Sequence, residues 1–226
     1  MTEIQFKSFL PELTKDMPII KASEYRYAWY KRAVQDLKKD PTVSPTAKCP
    51  GIISVNVAGW IQRSYQDFDL EVLTEDNIRW TSSIDQFRAK PGGFTDYIAG
   101  HSPEQYYKYN PDAFEHTCHT IIKVNSPWYV VIPDDYSLLS MPIPYNDEHR
   151  IVAATGILTG KQFLNVQLFV KAKPGSDIIK IKAGTPLQQY ILIKNEEIKT
   201  SICEHEHAPE DEELLCIQMQ KGKVFI

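Results

Sequence analysis

Between residues 120 and 193 the chain is a succession of short β-branched and aromatic runs, each closed by residues that turn a backbone. The runs are 120–124, 128–132, 136–141, 151–154, 163–170, 178–181 and 187–193. Asn125-Ser126-Pro127, Pro133-Asp134-Asp135, Asn146-Asp147, Lys173-Pro174-Gly175 and Ala183-Gly184 stand between them. β-Branched and aromatic side chains fit a pleated surface, and Pro, Asn, Asp and Gly supply the angles that reverse it. Even spacing without intervening helices argues for a sandwich or distorted barrel rather than for βαβ units. The fold class expected is therefore mainly β.

The first half adds a helix and more strands. Tyr27, Tyr30, Val34 and Leu37 recur at helical spacing, which predicts a helix over 22–39 with Ser23 as its N-cap and Pro41 and Pro45 beyond its end. From Ile52 the period shortens towards two. Strands are expected at 60–63, 68–73 and 77–81, with Glu75-Asp76-Asn77 as a turn. In Phe68-Asp69-Leu70-Glu71-Val72 apolar residues alternate with acids, as in a sheet with one wet face. Residues 90–111 read as a loop, and 212–219 as a short helix or a last strand. The organisation expected is an N-terminal helical extension, 1–48, followed by one β-rich domain, 49–226.

Composition removes several functions. Of 226 residues 42% are hydrophobic, too many for a disordered chain. The net charge of −4 gives no broad basic face for phosphate backbones, so nucleic acid is not an expected partner. The basic stretch 31–39 also carries Asp36 and reads as a solvated helix face. No apolar run approaches the roughly 20 residues of a spanning helix, and no membrane is expected. Cys49, Cys118, Cys203 and Cys216 show no repeated spacing, and residues 1–7 lack a signal-peptide pattern. Both point to a reducing, cytoplasmic setting.

Chemistry-bearing groups occur only as fragments. In Cys203-Glu204-His205-Glu206-His207 the two histidines would share one face of a strand, as a metal ion requires. His116-x-Cys118-His119 offers two further soft ligands, so His116, Cys118, His205 and His207 are the candidate metal ligands. No cofactor other than such an ion is implied. There is no G-x-S-x-G, P-loop or G-x-G-x-x-G, and no residue is expected to be catalytic. Tyr106, Tyr107 and Tyr109 fit an aromatic interface or a loop core better than a base-stacking platform.

Three resemblances follow from these residues. His205-x-His207-x4-Glu212 resembles the first metal motif of cupins, although Thr200 and Ser201 stand near the place of its upstream glycine. Gly184 with Gln189 and the apolar run after it resembles the closing strand of trimeric dUTPases and dCTP deaminases. Thr155-Gly156-Ile157-Leu158-Thr159 sits where that superfamily has its substrate hairpin. The resemblance implies a related β-fold (dUTPase-like, or β-clip), a trimer, and a ligand site at Gly156, Thr159 and Gln189. It does not carry the reaction, because Thr159 replaces the aspartate that would activate water, and a hydroxyl without a base cannot take that proton.

From 49 to 193 the chain also resembles an uncharacterised family of phage and bacterial proteins. The shared residues are Cys49-Pro50, Gly59-Trp60, Asp67, Trp80, His101, Ser126-Pro127-Trp128, Pro133, Tyr136-Ser137 and Gly184-Thr185-Pro186. Asp135 departs from the glycine usual there, and the acids common after Gly156 are missing. This implies a viral or bacterial origin, placing the protein in the host cytoplasm or the virion. The function expected is a non-catalytic β-rich association protein, phage structural or accessory, acting on protein partners or on itself. A nucleotide binder or hydrolase on the dUTPase-like scaffold, and a cupin-like metalloprotein, are the alternatives.

Overall fold

The alternation in Phe68-Asp69-Leu70-Glu71-Val72 becomes a strand with Phe68, Leu70 and Val72 buried and the acids outside. A computed structural model of the chain describes residues 3–25, 27–40, 48–90, 93–115 and 117–196. The chain divides into two compact units, one of residues 1–25 and 58–195, the other of 26–57 and 196–226.

The first unit holds seventeen strands among the described residues. They begin with β1 (Gln5–Ser8), β2 (Ile20–Lys21), β3 (Trp60–Arg63), β4 (Phe68–Thr74), β5 (Asn77–Ser82) and β6 (Gln86–Lys90). Next come β7 (Gly93–Asp96), β8 (Ile98–His101), β9 (Ile121–Val124), β10 (Trp128–Val131), β11 (Tyr136–Met141) and β12 (Ile151–Ala153). The last are β13 (Gly156–Leu158), β14 (Lys161–Phe163), β15 (Val166–Val170), β16 (Ile179–Ile181) and β17 (Pro186–Lys194). The sheets run β1-β10-β14, β13-β11-β17-β3-β2, β12-β15-β9-β8, β16-β4-β5 and β6-β7. Every pairing is antiparallel. The fold is mainly β and sandwich-like, as the sequence indicates.

Two cores organise this unit. In the larger, β16-β4-β5 shares its apolar face with β12-β15-β9-β8, through Leu70, Ile181, Ile122 and Leu168 among others. The smaller consists of Val130, Ile132, Leu138, Leu164 and Tyr190, rimmed by Phe6, Trp60 and Trp128. It lies within a bent ribbon: β10 pairs β14 up to Val131 with Lys161, and β11 pairs β13 from Leu138 with Leu158. At the bend Gly160 takes a φ of +64°, open to glycine, and its carbonyl accepts a hydrogen bond from Ile132 N. A strand that changes sheet in this way is a familiar corner between sheets crossing at a large angle. Gly59 is required by space as well as by its φ of +68°, because a Cβ there would lie 1.8 Å from the Tyr190 carbonyl oxygen.

Helix α1 (Pro11–Thr14) is a single turn; α2 (Ala28–Lys39) and α3 (Pro50–Val57) belong to the second unit. The helix expected from residue 22 starts at 28. Ile20 and Lys21 pair with β3 and Ala22 N bonds to Gly59 O, so the chain stays tied to the sheet edge as far as Ala22, and Ser23 falls in a 3-10 turn over Ala22–Glu24. Tyr27, extended at ψ 138°, takes the N-cap position and no side chain caps it. Lys38 and Lys39 close α2 where positive charge suits the helix dipole. The extended reading from Ile52 gives way to α3, in which Pro50 occupies the first position and Ile53 N bonds to Cys49 O. The loop expected over 90–111 contains β7, β8 and short 3-10 turns, and the β6-β7 hairpin is held by Phe87, buried against Phe9 and Tyr65. The run 163–170 breaks at Leu164 and Asn165, whose groups bond to Trp128 O and Ser126 N. No helix among the described residues is long and apolar enough to cross a membrane.

Candidate functional site

Residues 117–120 lead into β9 and are fastened to the β4–β5 turn. His119 N donates to Glu75 O at 2.7 Å, Thr120 Oγ1 to Asp76 O at 2.6 Å, and Cys118 Sγ to Glu75 O at 3.3 Å. Cys118 is 1% exposed, and burial raises its thiol pKa. The thiol is a core group rather than a nucleophile.

This anchoring sets the ring of His119. Its Nδ1 lies 2.7 Å from Asp76 Oδ1, and Tyr107 stacks on it with centroids 3.6 Å apart and planes 13° from parallel. An ionised carboxylate only accepts, so Nδ1 carries the proton and Nε2 of the neutral ring offers a lone pair. His119 lines a cleft of about 630 Å³ whose wall also includes Glu75, Tyr107, Asp112, Glu115 and Lys173. Three acids against one lysine make the lining net negative. The arrangement can accept a hydrogen bond and hold a cation. It has no activated nucleophile.

The candidate metal ligands His116, His205 and His207 lie outside the described residues. Cys118, the fourth, is buried as above. Among the described residues no three His, Cys, Asp or Glu side chains are grouped to hold a metal ion. Gly156 pairs with Ser140 in β11, whose other neighbour, β17, carries Gln189 opposite Met141. Gly156 therefore shares a sheet face with Tyr190, and Gln189 faces the other way. Gln189 is fully buried and donates from Nε2 to Ala58 O at 2.7 Å, while Thr159 is exposed in the turn after β13. Within one chain these three residues do not line a common cleft.

A second surface emerges from the pairing register. Ile157, Leu139 and Ile191 lie side by side on the face of the five-stranded sheet opposite Tyr190, with Ile193 further along. Ile157 is 65% exposed and Ile193 40%. β13 ends its sheet, so its outer edge has no strand beside it among the described residues, and Gly156-Ile157-Leu158 bears no charge.

Asp76 has no functional signal in the sequence, and Tyr107 stands out there only as one of the clustered tyrosines 106, 107 and 109. The turn at Glu75-Asp76 is legible, but its partner lies 43 residues away. No protein-family model matches this chain, and no curated protein matches it.

Proposed function

We propose that this chain is a non-catalytic, β-rich association protein, of the structural or accessory kind that phages encode, and that its partner is a second copy of itself. It acts in the host cytoplasm or in the virion. The observation that carries the reading is Ile157, largely exposed beside Leu139 and Ile191 on an edge strand with no charge to ward off pairing. Two copies related by a two-fold axis would meet edge to edge in the antiparallel sense, the sense of every pairing among the described residues. Such a pairing would extend the five-stranded sheet and give the exposed Ile157 side chain cross-strand neighbours from the second copy.

Size-exclusion chromatography with light scattering tests this. The native chain is expected to run at a multiple of its own mass, and Ile157→Glu at the mass of one chain with unchanged unfolding temperature. A native chain that stays single at its highest soluble concentration would sink the reading. Two chains would fit the two-fold edge, and three the closed trimer that the dUTPase resemblance implies.

One observation favours a nucleotide-binding reading as well: Gly156 and Thr159 lie together on an exposed hairpin, where a neighbouring subunit could complete a pocket. Stabilisation of the oligomer by millimolar dUTP or dCTP, lost in Thr159→Arg, would support it; no shift with any nucleotide would remove it.

A further inference from the structure

The cleft beside His119 plays no part in the sheet edge, and the sequence motif that reaches it, through Cys118 and His119, points to a metal ion instead. We propose that it binds an organic cation bearing N–H donors, a primary ammonium group supplied by a free amine or by the lysine side chain of a partner. Its size of about 630 Å³ suits a small ligand, since such sites commonly span about 300–1,000 Å³.

Three features select the ligand's chemistry. The imidazole is held in advance: Asp76 fixes its Nδ1 and the Tyr107 ring covers one face, so little freedom remains to be lost when something binds. In the neutral imidazole Nδ1 donates to Asp76, and the nitrogen left over, Nε2, is then an acceptor that matches an N–H donor. His119 is half-buried, and its hydrogen bond to Asp76 engages Nδ1 alone. Glu75, Asp112 and Glu115, against Lys173 alone, then set the sign of the field over the cleft, attracting ammonium and repelling phosphate or carboxylate. A metal ion is a poorer match, because no three ligating side chains converge among the described residues.

Calorimetric titration of the full chain with spermidine, with tetralysine and with inorganic phosphate tests the assignment. Long-range ¹H–¹⁵N spectra that follow the His119 imidazole run beside it. Spermidine and tetralysine are expected to bind and to move the His119 Nε2 resonance, with phosphate inert. The rim variants Asp112→Asn and Glu75→Gln alter exposed side chains and leave the fold intact. Each should weaken binding by up to about fivefold, and His119→Ala should weaken it further. Binding of both amines identifies the shared ammonium chemistry, and binding of tetralysine alone identifies a partner's lysine as the source. Three results would overturn the proposal: neither amine binds at millimolar concentration, phosphate binds as well as the amines, or binding is untouched in both rim variants.

Discussion

The two cores of the β unit solve the same problem with different materials. Between the sheets built on β4 and β15 the filling is mostly aliphatic, and alternate residues of each strand suffice to close it. Within the bent ribbon the space is smaller, and one large ring, Tyr190, sits among four aliphatic side chains, with its hydroxyl donating to Gln62 Oε1 at 2.7 Å. The larger core has a counter-example at its margin. Tyr65 packs against Tyr97 with centroids 4.7 Å apart, yet its buried hydroxyl has no hydrogen-bond partner among the described residues. Facing sheets tolerate a misfit polar atom; a corner built around one side chain depends on that side chain's polar end.

Three substitutions would break or sharpen the contrast. Leu168→Ala, at a fully buried site in the larger core, should cost about 3 kcal/mol in urea unfolding through lost burial and a residual cavity. A cost near zero would mean that the sandwich is not the principal source of stability. Tyr190→Phe should cost about 1.5 kcal/mol, because it strands the Gln62 acceptor in the smaller core. Tyr65→Phe should have the opposite sign and stabilise by about 1 kcal/mol, since it removes a buried hydroxyl with nothing to bond. Equal signs for the two tyrosines would end the comparison.

The smallest effect lies outside both cores. Hydrogen bonds from Arg150 hold the Glu148 carboxyl below the ordinary glutamate value of 4.5. The unfolded chain therefore takes up the proton first. The pair's contribution is complete above the ordinary value and is lost as pH falls through the lower folded one. The pair is half-buried and still reached by solvent, so Glu148→Gln should flatten acid unfolding in that window by only a few tenths of a kcal/mol. An unchanged acid limb would show that the pair contributes nothing.

Much of the sandwich was legible because its strands carry their own pattern. The stretch 136–141 is a strand to the residue, and 60–63 likewise, since β-branched and aromatic runs between turn formers leave few alternatives. The same rule misread α3. Ile52, Ile53, Val55 and Val57 look extended, and Pro50 with the bond from Ile53 N to Cys49 O settled the turn instead. The β6-β7 hairpin escaped notice because Phe87 is its anchor and the partners, Phe9 and Tyr65, are remote in sequence. The cleft was least legible. His119 stood out as a residue, but what gives it a direction is Asp76 and Tyr107, and no local pattern announces that a turn, a 3-10 segment and a strand entry will meet.

β17 borders both cores: Leu187 points into the larger, and Tyr190 with Leu192 into the smaller, while β3 and β11 flank it. A ribosome making this chain therefore releases β3 more than a hundred residues before the strand that must lie between it and β11, and neither core can be completed until residues 186–194 have emerged. The nascent chain must carry its unsealed apolar faces until that strand has left the ribosome, so both cores close late along this sequence.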